Sequence, residues 1–200
     1  MPTVYILFSF YNKGEIGLKK QIPLADKKME SVNGNSFSLN DLKAQNGLIV
    51  IFSCNTCPFV VGKDDFPGWE KQYNALYEKA HAANMGLVLI NSNEAKRNDE
   101  DSMEAMKKHA KDRGYKMEYL LDKDSELADA FGAKTTPHVF VFNAKSKLAY
   151  KGSIDNTYDN QRSNDIQYLE NVIAELQNDE KITINSTPPR GCSIKRVKLN

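Results

Sequence analysis

The sequence is poor in cysteine and histidine, and it has no long apolar run. Three cysteines in 200 residues are too few for a disulfide-stapled scaffold, and the odd count leaves one thiol over if two pair. No run approaches the roughly 18 apolar residues of a membrane span. The net charge of +1, without a basic block, argues against a nucleic-acid partner. With 40% hydrophobic residues, the chain is expected to form one globular domain.

Two of the three cysteines form a C-x-x-C motif. Cys54-Asn55-Thr56-Cys57 follows the apolar run Leu48–Ser53 and precedes a segment of helical pattern that opens with Pro58. Two cysteines on the first turn of a helix can close a small disulfide loop with little backbone movement. At that place the helix macrodipole and the unpaired N–H groups would lower the pKa of Cys54. The motif therefore predicts a redox-active dithiol with Cys54 as the thiolate.

The C-x-x-C motif has two other interpretations. A structural zinc site needs four Cys or His ligands, and the rest of the chain offers only Cys192 and the scattered histidines His81, His109 and His138. The cysteines could also be buried and inert, as free cysteines often are. Redox chemistry remains the favoured interpretation, with no metal and no cofactor.

A second signal lies far downstream of the dithiol. Thr135-Thr136-Pro137-His138 leads into Val139–Phe142, whose branched and aromatic residues are typical of a strand. Proline is permitted at the first residue of a strand, and X–Pro bonds are the ones able to be cis. Thr136-Pro137 is therefore a candidate cis turn, and His138 is expected to be an ordinary strand residue.

The order of strand, C-x-x-C, helix and Thr-Pro before a hairpin is similar to the thioredoxin fold. The chain resembles its redoxin branch, the thioredoxin-like relatives of the alkyl hydroperoxide reductase and thiol-specific antioxidant (AhpC/TSA) family. The stretches that carry the resemblance are Phe52–Phe59, Ile90–Asn93, Thr136–His138, Tyr150–Asp155 and Gly191–Lys195. The resemblance implies an α/β fold with a central mixed sheet flanked by helices, an N-terminal β-hairpin extension and a C-terminal tail.

The same resemblance implies a thiol–disulfide oxidoreductase of cell redox homeostasis, with antioxidant activity. Cys54 would attack a disulfide, Cys57 would resolve the mixed disulfide, and Thr136, Pro137 and Phe59 would seat the partner chain. The partners would be protein disulfides or dithiols and an unidentified electron donor or acceptor, and the protein would act as a monomer.

Departures from the family patterns leave alternatives open. Thioredoxin has a buried acid where this chain has Leu48, so deprotonation of Cys57 needs another group, and Asp155 is a candidate. Peroxiredoxins place a hydroxyl and a proline ahead of their reactive cysteine, where this chain has Ile51 and Gly47. A peroxide reductase is therefore the second hypothesis, and a binding module whose dithiol never cycles is the third. We further hypothesise that Cys192 lies near the dithiol and exchanges with it.

The chain is expected to divide into an N-terminal extension or leader remnant (1–26), a thioredoxin-like domain (27–180) and a C-terminal tail (181–200). Val4–Tyr11 has the length of a signal-peptide apolar region, but no Lys or Arg precedes it. The resemblance favours an exported or periplasmic protein, with the cytoplasm as the alternative. Turn residues at Asn33–Asn35 predict a hairpin, and Ser102 and Gly114 predict the two ends of a helix.

Overall fold

The computed structural model describes residues 14–197, so the prediction for Val4–Tyr11 lies outside the described residues. The strands in chain order are β1 (Met29–Glu30), β2 (Ser36–Phe37), β3 (Gly47–Ser53), β4 (Met85–Asn91), β5 (Glu118–Leu121), β6 (Thr135–Thr136), β7 (His138–Asn143), β8 (Leu148–Gly152) and β9 (Cys192–Ser193). The α-helices are α1 (Leu39–Leu42), α2 (Pro58–Val61), α3 (Glu70–Ala82), α4 (Met103–Arg113), α5 (Glu126–Phe131) and α6 (Tyr168–Gln177).

The centre of the fold is a five-stranded mixed sheet in the order β5-β4-β3-β7-β8. The pairs β3/β4 and β4/β5 are parallel, whereas β3/β7 and β7/β8 are antiparallel. All seven residues of β3 are buried, as expected for a central strand covered on both faces. This arrangement confirms the predicted mixed α/β fold.

Side chains of β3 alternate between two apolar cores. Ile49 and Ile51 face the core that includes Trp69 and Tyr73, and Phe52 faces the core that includes Phe131. The period-2 alternation of a strand explains this division, because successive side chains point to opposite faces. The carboxyl end of β3, where the C-x-x-C begins, is thereby held between two packed layers.

Several local predictions are confirmed. β1 and β2 form the antiparallel hairpin around Asn33–Asn35. Ser102 caps α4 by accepting a hydrogen bond from Ala105 N, and Gly114 ends the helix in the left-handed conformation. α6 begins at Tyr168, and in the loop before it Asn156 Oδ1 accepts from Ile166 N at 2.8 Å.

Glycine and proline residues divide the segment after the dithiol into two helices. α2 has only four residues and ends at Gly62, whose φ of 95° takes the chain out of the helix. A loop with Pro67-Gly68 follows before α3 begins at Glu70. These residues therefore separate the dithiol from the long helix α3.

The segment after residue 180 lies against the rest of the protein. Thr187 N donates to Lys151 O at 3.0 Å beside β8, and β9 pairs with β6. At the other end of the described chain, Lys19 N donates to Leu148 O at 2.8 Å. Within residues 14–197, the N-terminal and the C-terminal segments therefore each hydrogen-bond to β8. Among those residues, no helix combines the length and the apolar character needed to cross a membrane.

Candidate functional site

The two cysteines of the C-x-x-C meet Thr136. Cys54 Sγ lies 3.1 Å from Thr136 Oγ1, and Cys57 Sγ lies 3.0 Å from the Thr136 carbonyl oxygen. The sheet explains the contact, since the Phe52–His138 pair of β3 and β7 brings the end of one strand beside the start of the other. The Thr136–Pro137 bond is cis, which confirms the predicted turn.

Cys192 joins the pair from the C-terminal segment. β9 runs antiparallel to β6, with Cys192 opposite Thr136. This register directs Cys192 N toward the dithiol, where it donates to Cys57 Sγ at 3.3 Å. The nearness hypothesised from the sequence is therefore present, and all three cysteines are free thiols in this structure.

The surroundings of the two thiols shift their pKa values in opposite directions. The hydrogen bond from Cys54 to Cys57 and the burial of Cys54 raise the pKa of Cys54 well above its usual value, and the Asp101 charge acts in the same direction. The donated hydrogen bond from Cys54, followed by those from Cys192, lowers the pKa of Cys57 to about 5 despite its burial. Cys57 is thus the better site for the thiolate.

This result corrects the predicted effect of the helix on Cys54. Cys57 is the N-cap residue of α2, so Cys54 lies in the preceding loop and not on a first helical turn. The pKa of Cys54 is consequently raised, where the sequence predicted that it would be lowered.

A buried amide and carboxylate network supports the loop between the cysteines. Asp101 Oδ1 accepts from Asn55 N at 3.0 Å and from Asn91 Nδ2 at 2.7 Å, while Asp101 Oδ2 accepts from Asn93 Nδ2 at 2.9 Å. Tyr119 donates its hydroxyl to Asn55 Oδ1 at 3.0 Å. Asp101 and Tyr119 are not among the residues predicted from the sequence. The quoted stretch Ile90–Asn93 was the signal that could have pointed to this network.

Asp155 is not placed at the dithiol. Its carboxylate accepts from Trp69 Nε1 and Gln72 Nε2, each at 2.7 Å, and from the Thr157 backbone and hydroxyl. In the described part of the chain it has no hydrogen bond to Cys54 or Cys57. These contacts show a structural anchor and give no support to the predicted proton acceptor.

The other predicted residues have simpler surroundings. Phe59 is half-buried, and its ring stacks on Trp69 with the centroids 6.1 Å apart. His138 is buried in β7, where burial lowers its pKa to about 4, and its Nδ1 accepts from Lys134 N at 3.2 Å. His109 Nε2 lies 2.7 Å from the buried Glu70 carboxylate. Within residues 14–197, no cluster of three His, Cys, Asp or Glu side chains suits a metal ion.

A small pocket of about 120 Å³ opens at the cysteines. It is lined by Cys54, Thr56, Cys57, Pro58, Asn93, Lys96, Thr136, Cys192, Ser193 and Lys195. Both charged lining residues are lysines, so the pocket favours a thiolate and other small anions. Phe59 is not among the lining residues.

Comparison with known proteins identifies the family. The Redoxin family model matches residues 19–173. An uncharacterized conserved protein from Geobacillus kaustophilus is 30% identical, with a TM-score of 0.80, over 92% of this chain and 94% of that one. A hypothetical protein from Sinorhizobium meliloti is 26% identical, with a TM-score of 0.80, over 93% of this chain and 98% of that one.

A more distant structure agrees in fold alone. A peroxidoxin from Mycobacterium tuberculosis is 15% identical, with a TM-score of 0.55, over 82% of this chain and 98% of that one. A search of curated proteins returned no match to the sequence. The family match covers most of the chain and includes the dithiol and the cis-proline turn, so this protein belongs to the Redoxin family.

Proposed function

We propose that this protein is a thiol–disulfide oxidoreductase that works through a Cys54–Cys57 disulfide and a mixed disulfide with its partner. The observation that carries the proposal is the convergence of both thiols on Thr136 beside Pro137, within 3.1 Å. The opposite pKa directions of the two thiols support it, because they divide the pair into a thiolate and a proton donor. The partners are protein disulfides or dithiols and a separate electron donor or acceptor.

The local donors favour Cys57 as the attacking thiolate, which reverses the roles expected from the sequence. In the reductive direction, Cys57 attacks a partner disulfide, and one partner sulfur leaves as a thiol. Cys54, whose proton the departing partner sulfur has taken up, then attacks Cys57 Sγ, so that the second partner sulfur leaves as a thiolate and the Cys54–Cys57 disulfide closes. The partner is reduced by two electrons and the dithiol is oxidised by two.

Formation of the mixed disulfide on Cys57 makes the subsequent deprotonation of Cys54 easier. Hydrogen bonding to the Cys57 thiolate is the largest cause of the raised pKa of Cys54. Once Cys57 is held in a mixed disulfide it carries no charge, so that cause is removed and Cys54 releases its proton more readily. The dithiol therefore needs no dedicated base such as Asp155.

Serine variants test the proposal and the division of roles. Cys57→Ser is expected to abolish reduction of a protein disulfide such as insulin. The double variant Cys54→Ser/Cys192→Ser, which lacks both thiol neighbours of Cys57, is expected to lose turnover as well, but to accumulate a mixed disulfide on Cys57 that mass spectrometry of the acid-quenched mixture detects. Ala144→Ser, an exposed change in the loop between β7 and β8, is the matched control and should retain activity.

Two results would count against these assignments. A mixed disulfide that accumulates on Cys54 in the Cys57→Ser variant would restore the roles expected from the sequence. Full turnover by both serine variants would refute the oxidoreductase.

The small pocket favours peroxide reduction as the second candidate function. A volume of about 120 Å³ suits a hydroperoxide better than a folded partner. Cys57 would attack one peroxide oxygen to form a sulfenic acid and release an alcohol or water, and Cys54 would condense with it to a disulfide and release water. Direct peroxide consumption by the reduced protein, lost in Cys57→Ser, distinguishes this candidate from the first.

A further inference from the structure

The backbone edge of Thr136 is already occupied by the protein's own chain. β9 pairs with β6 so that Cys192 lies opposite Thr136 and Ser193 opposite Thr135. Ile194 N donates to Lys134 O at 3.0 Å and extends the same ladder. An extended partner chain could add to this edge beside the dithiol only by displacing β9.

The occupying segment is held in a defined position. Ile194 is buried with 5% of its surface exposed, and Lys195 N donates to Asn93 Oδ1 at 2.8 Å. Gly191 passes so close to the turn that an added Cβ would lie 2.2 Å from the Thr136 carbonyl oxygen. Because backbone atoms make this approach, no rotamer change could relieve it, and only glycine fits there.

The position of the segment brings the third thiol to Cys57. Cys192 N donates to Cys57 Sγ at 3.3 Å, and the proximity of Cys192 is one of the causes that lower the pKa of Cys57. Cys57 thus has a thiol neighbour on each side, Cys54 and Cys192.

The three thiols differ in access to solvent. Cys54 and Cys57 are 2% and 4% exposed, whereas Cys192 is only half-buried. A protein substrate therefore meets Cys192 before it meets either cysteine of the C-x-x-C.

We propose that Cys192 is an internal exchange partner of Cys57 and relays disulfides between the buried Cys54–Cys57 pair and external protein thiols. The relay rests on the oxidoreductase function proposed above. The Cys192 thiolate attacks Cys57 Sγ, the Cys54–Cys57 bond breaks, and Cys54 leaves as a thiolate that takes up the proton lost by Cys192. The transfer moves a disulfide without net oxidation. A partner thiolate then attacks Cys192 Sγ, Cys57 leaves as its favoured thiolate, and a second partner thiol resolves the Cys192–partner disulfide with release of the Cys192 thiol. In reverse, the same exchanges reduce a partner disulfide.

Disulfide mapping of the full-length Cys54→Ser variant tests the relay. Oxidised glutathione first couples to Cys57 with release of one reduced glutathione, and Cys192 then displaces the second. Trypsin places Cys57 in peptide 44–63 and Cys192 in peptide 191–195, so a Cys57–Cys192 bond links two peptides. We expect this linked pair as the main oxidised product. A product that carries only glutathione on Cys57 would overturn the relay.

Glycine variants test whether the position of β9 is what allows the Cys57–Cys192 bond to form. In the Cys54→Ser background, Gly191→Ala should lower the yield of the linked peptides by about tenfold and leave glutathione on Cys57. Gly17→Ala is the matched control, since its added Cβ meets no atom closer than 3.9 Å. An equal yield from the Gly191 and Gly17 variants would refute the positioning argument.

Kinetics of Cys192→Ser separate the relay from the underlying function. We expect its rate with a protein disulfide to fall about tenfold, while its Cys54–Cys57 disulfide still forms with small disulfides. An unchanged rate with the protein disulfide would overturn the relay and leave the oxidoreductase standing. Failure of the wild-type protein to form a Cys54–Cys57 disulfide or turn over would instead refute the oxidoreductase.

Discussion

At the scale of single residues, reactivity depends on the donors around each sulfur. Cys54 and Cys57 are similarly buried, yet the pKa of one is raised and that of the other lowered. The hydrogen bond between them explains the difference, because the thiol that donates keeps its proton and the sulfur that accepts is stabilised as a thiolate. Cys192 adds a second set of donors on the Cys57 side only.

The pH dependence of the thiolate follows from this arrangement. Because the pKa of Cys57 is lowered to about 5, its thiolate is present above that pH and is lost as the pH falls through it. The ultraviolet absorbance of the thiolate in the reduced protein, with the Cys57→Ser signal subtracted, should therefore rise with a midpoint near pH 5. A midpoint near that of free cysteine, about 8.5, would contradict the assignment.

A variant supplies the control for this titration. Cys54→Ser replaces the thiol donor that contributes most to the lowered pKa of Cys57 with a hydroxyl. An altered midpoint is expected in Cys54→Ser, and no alteration in Ala144→Ser, whose side chain is exposed.

At the scale of elements, the site depends on loops that other elements hold in place. The loop between β3 and α2 is held by Asp101, which lies just before α4, and by Tyr119 of β5. The loop after β8 is held to the start of α3 through Asp155, which binds Trp69 and Gln72. Each carboxylate satisfies several donors at once, as buried polar groups require.

The anchoring role of Asp155 leads to a stability prediction. Asp155→Asn places an amide group where a carboxylate oxygen now accepts a hydrogen bond, so a buried donor loses its partner. We expect the free energy of unfolding to fall by about 1–3 kcal/mol in urea denaturation. The pKa of Cys57, measured as above, should stay unchanged.

Exposed Asp159→Asn is the comparison variant for this experiment and should alter stability little. An altered thiolate titration in Asp155→Asn with unaltered stability would return Asp155 to the role of proton acceptor.

At the scale of the whole molecule, residues far apart in sequence close the site. The segment after residue 180 crosses from β8 to the cis-proline turn and contacts Asn93 and Asp129 through Lys195 and Arg196. The dithiol is therefore covered by a strand that lies some 135 positions later in the chain. Long-range contacts of this kind link site accessibility to the anchoring of the C-terminal segment.

Removal of the buried Ile194 side chain should make the C-terminal segment after residue 180 more accessible. Ile194→Ala removes a side chain that is 5% exposed, and the local free energy that holds β9 should fall by about 2 kcal/mol. Trypsin cleavage after Arg190 should then become about tenfold faster or more under native conditions. Val197→Ala, at a position that is 55% exposed, should leave the cleavage rate unchanged. Equal rates for the two variants would show that Ile194 does not hold the segment.

The sequence alone was sufficient for the fold class, the cis turn and the position of the C-x-x-C directly after a buried strand. These features depend on local signals: the fully apolar run of β3, the C-x-x-C spacing and a Thr-Pro step before a strand. Caps such as Ser102 and Gly114 are equally local, because their hydrogen bonds close within a few residues. Short-range chemistry of this kind can be predicted without knowledge of the tertiary structure.

The tertiary structure decided the opposite pKa shifts of the two thiols, the placement of Asp155 and Asp101, and the position of Cys192. Each of these depends on which group from a distant part of the chain arrives beside a given atom. The pKa of Cys57 is lowered by Cys54 and by a residue of β9, and Asp155 is directed to Trp69 by the course of its loop. Sequence spacing contains no information on such neighbours, because the packing of the whole chain around the sheet sets them.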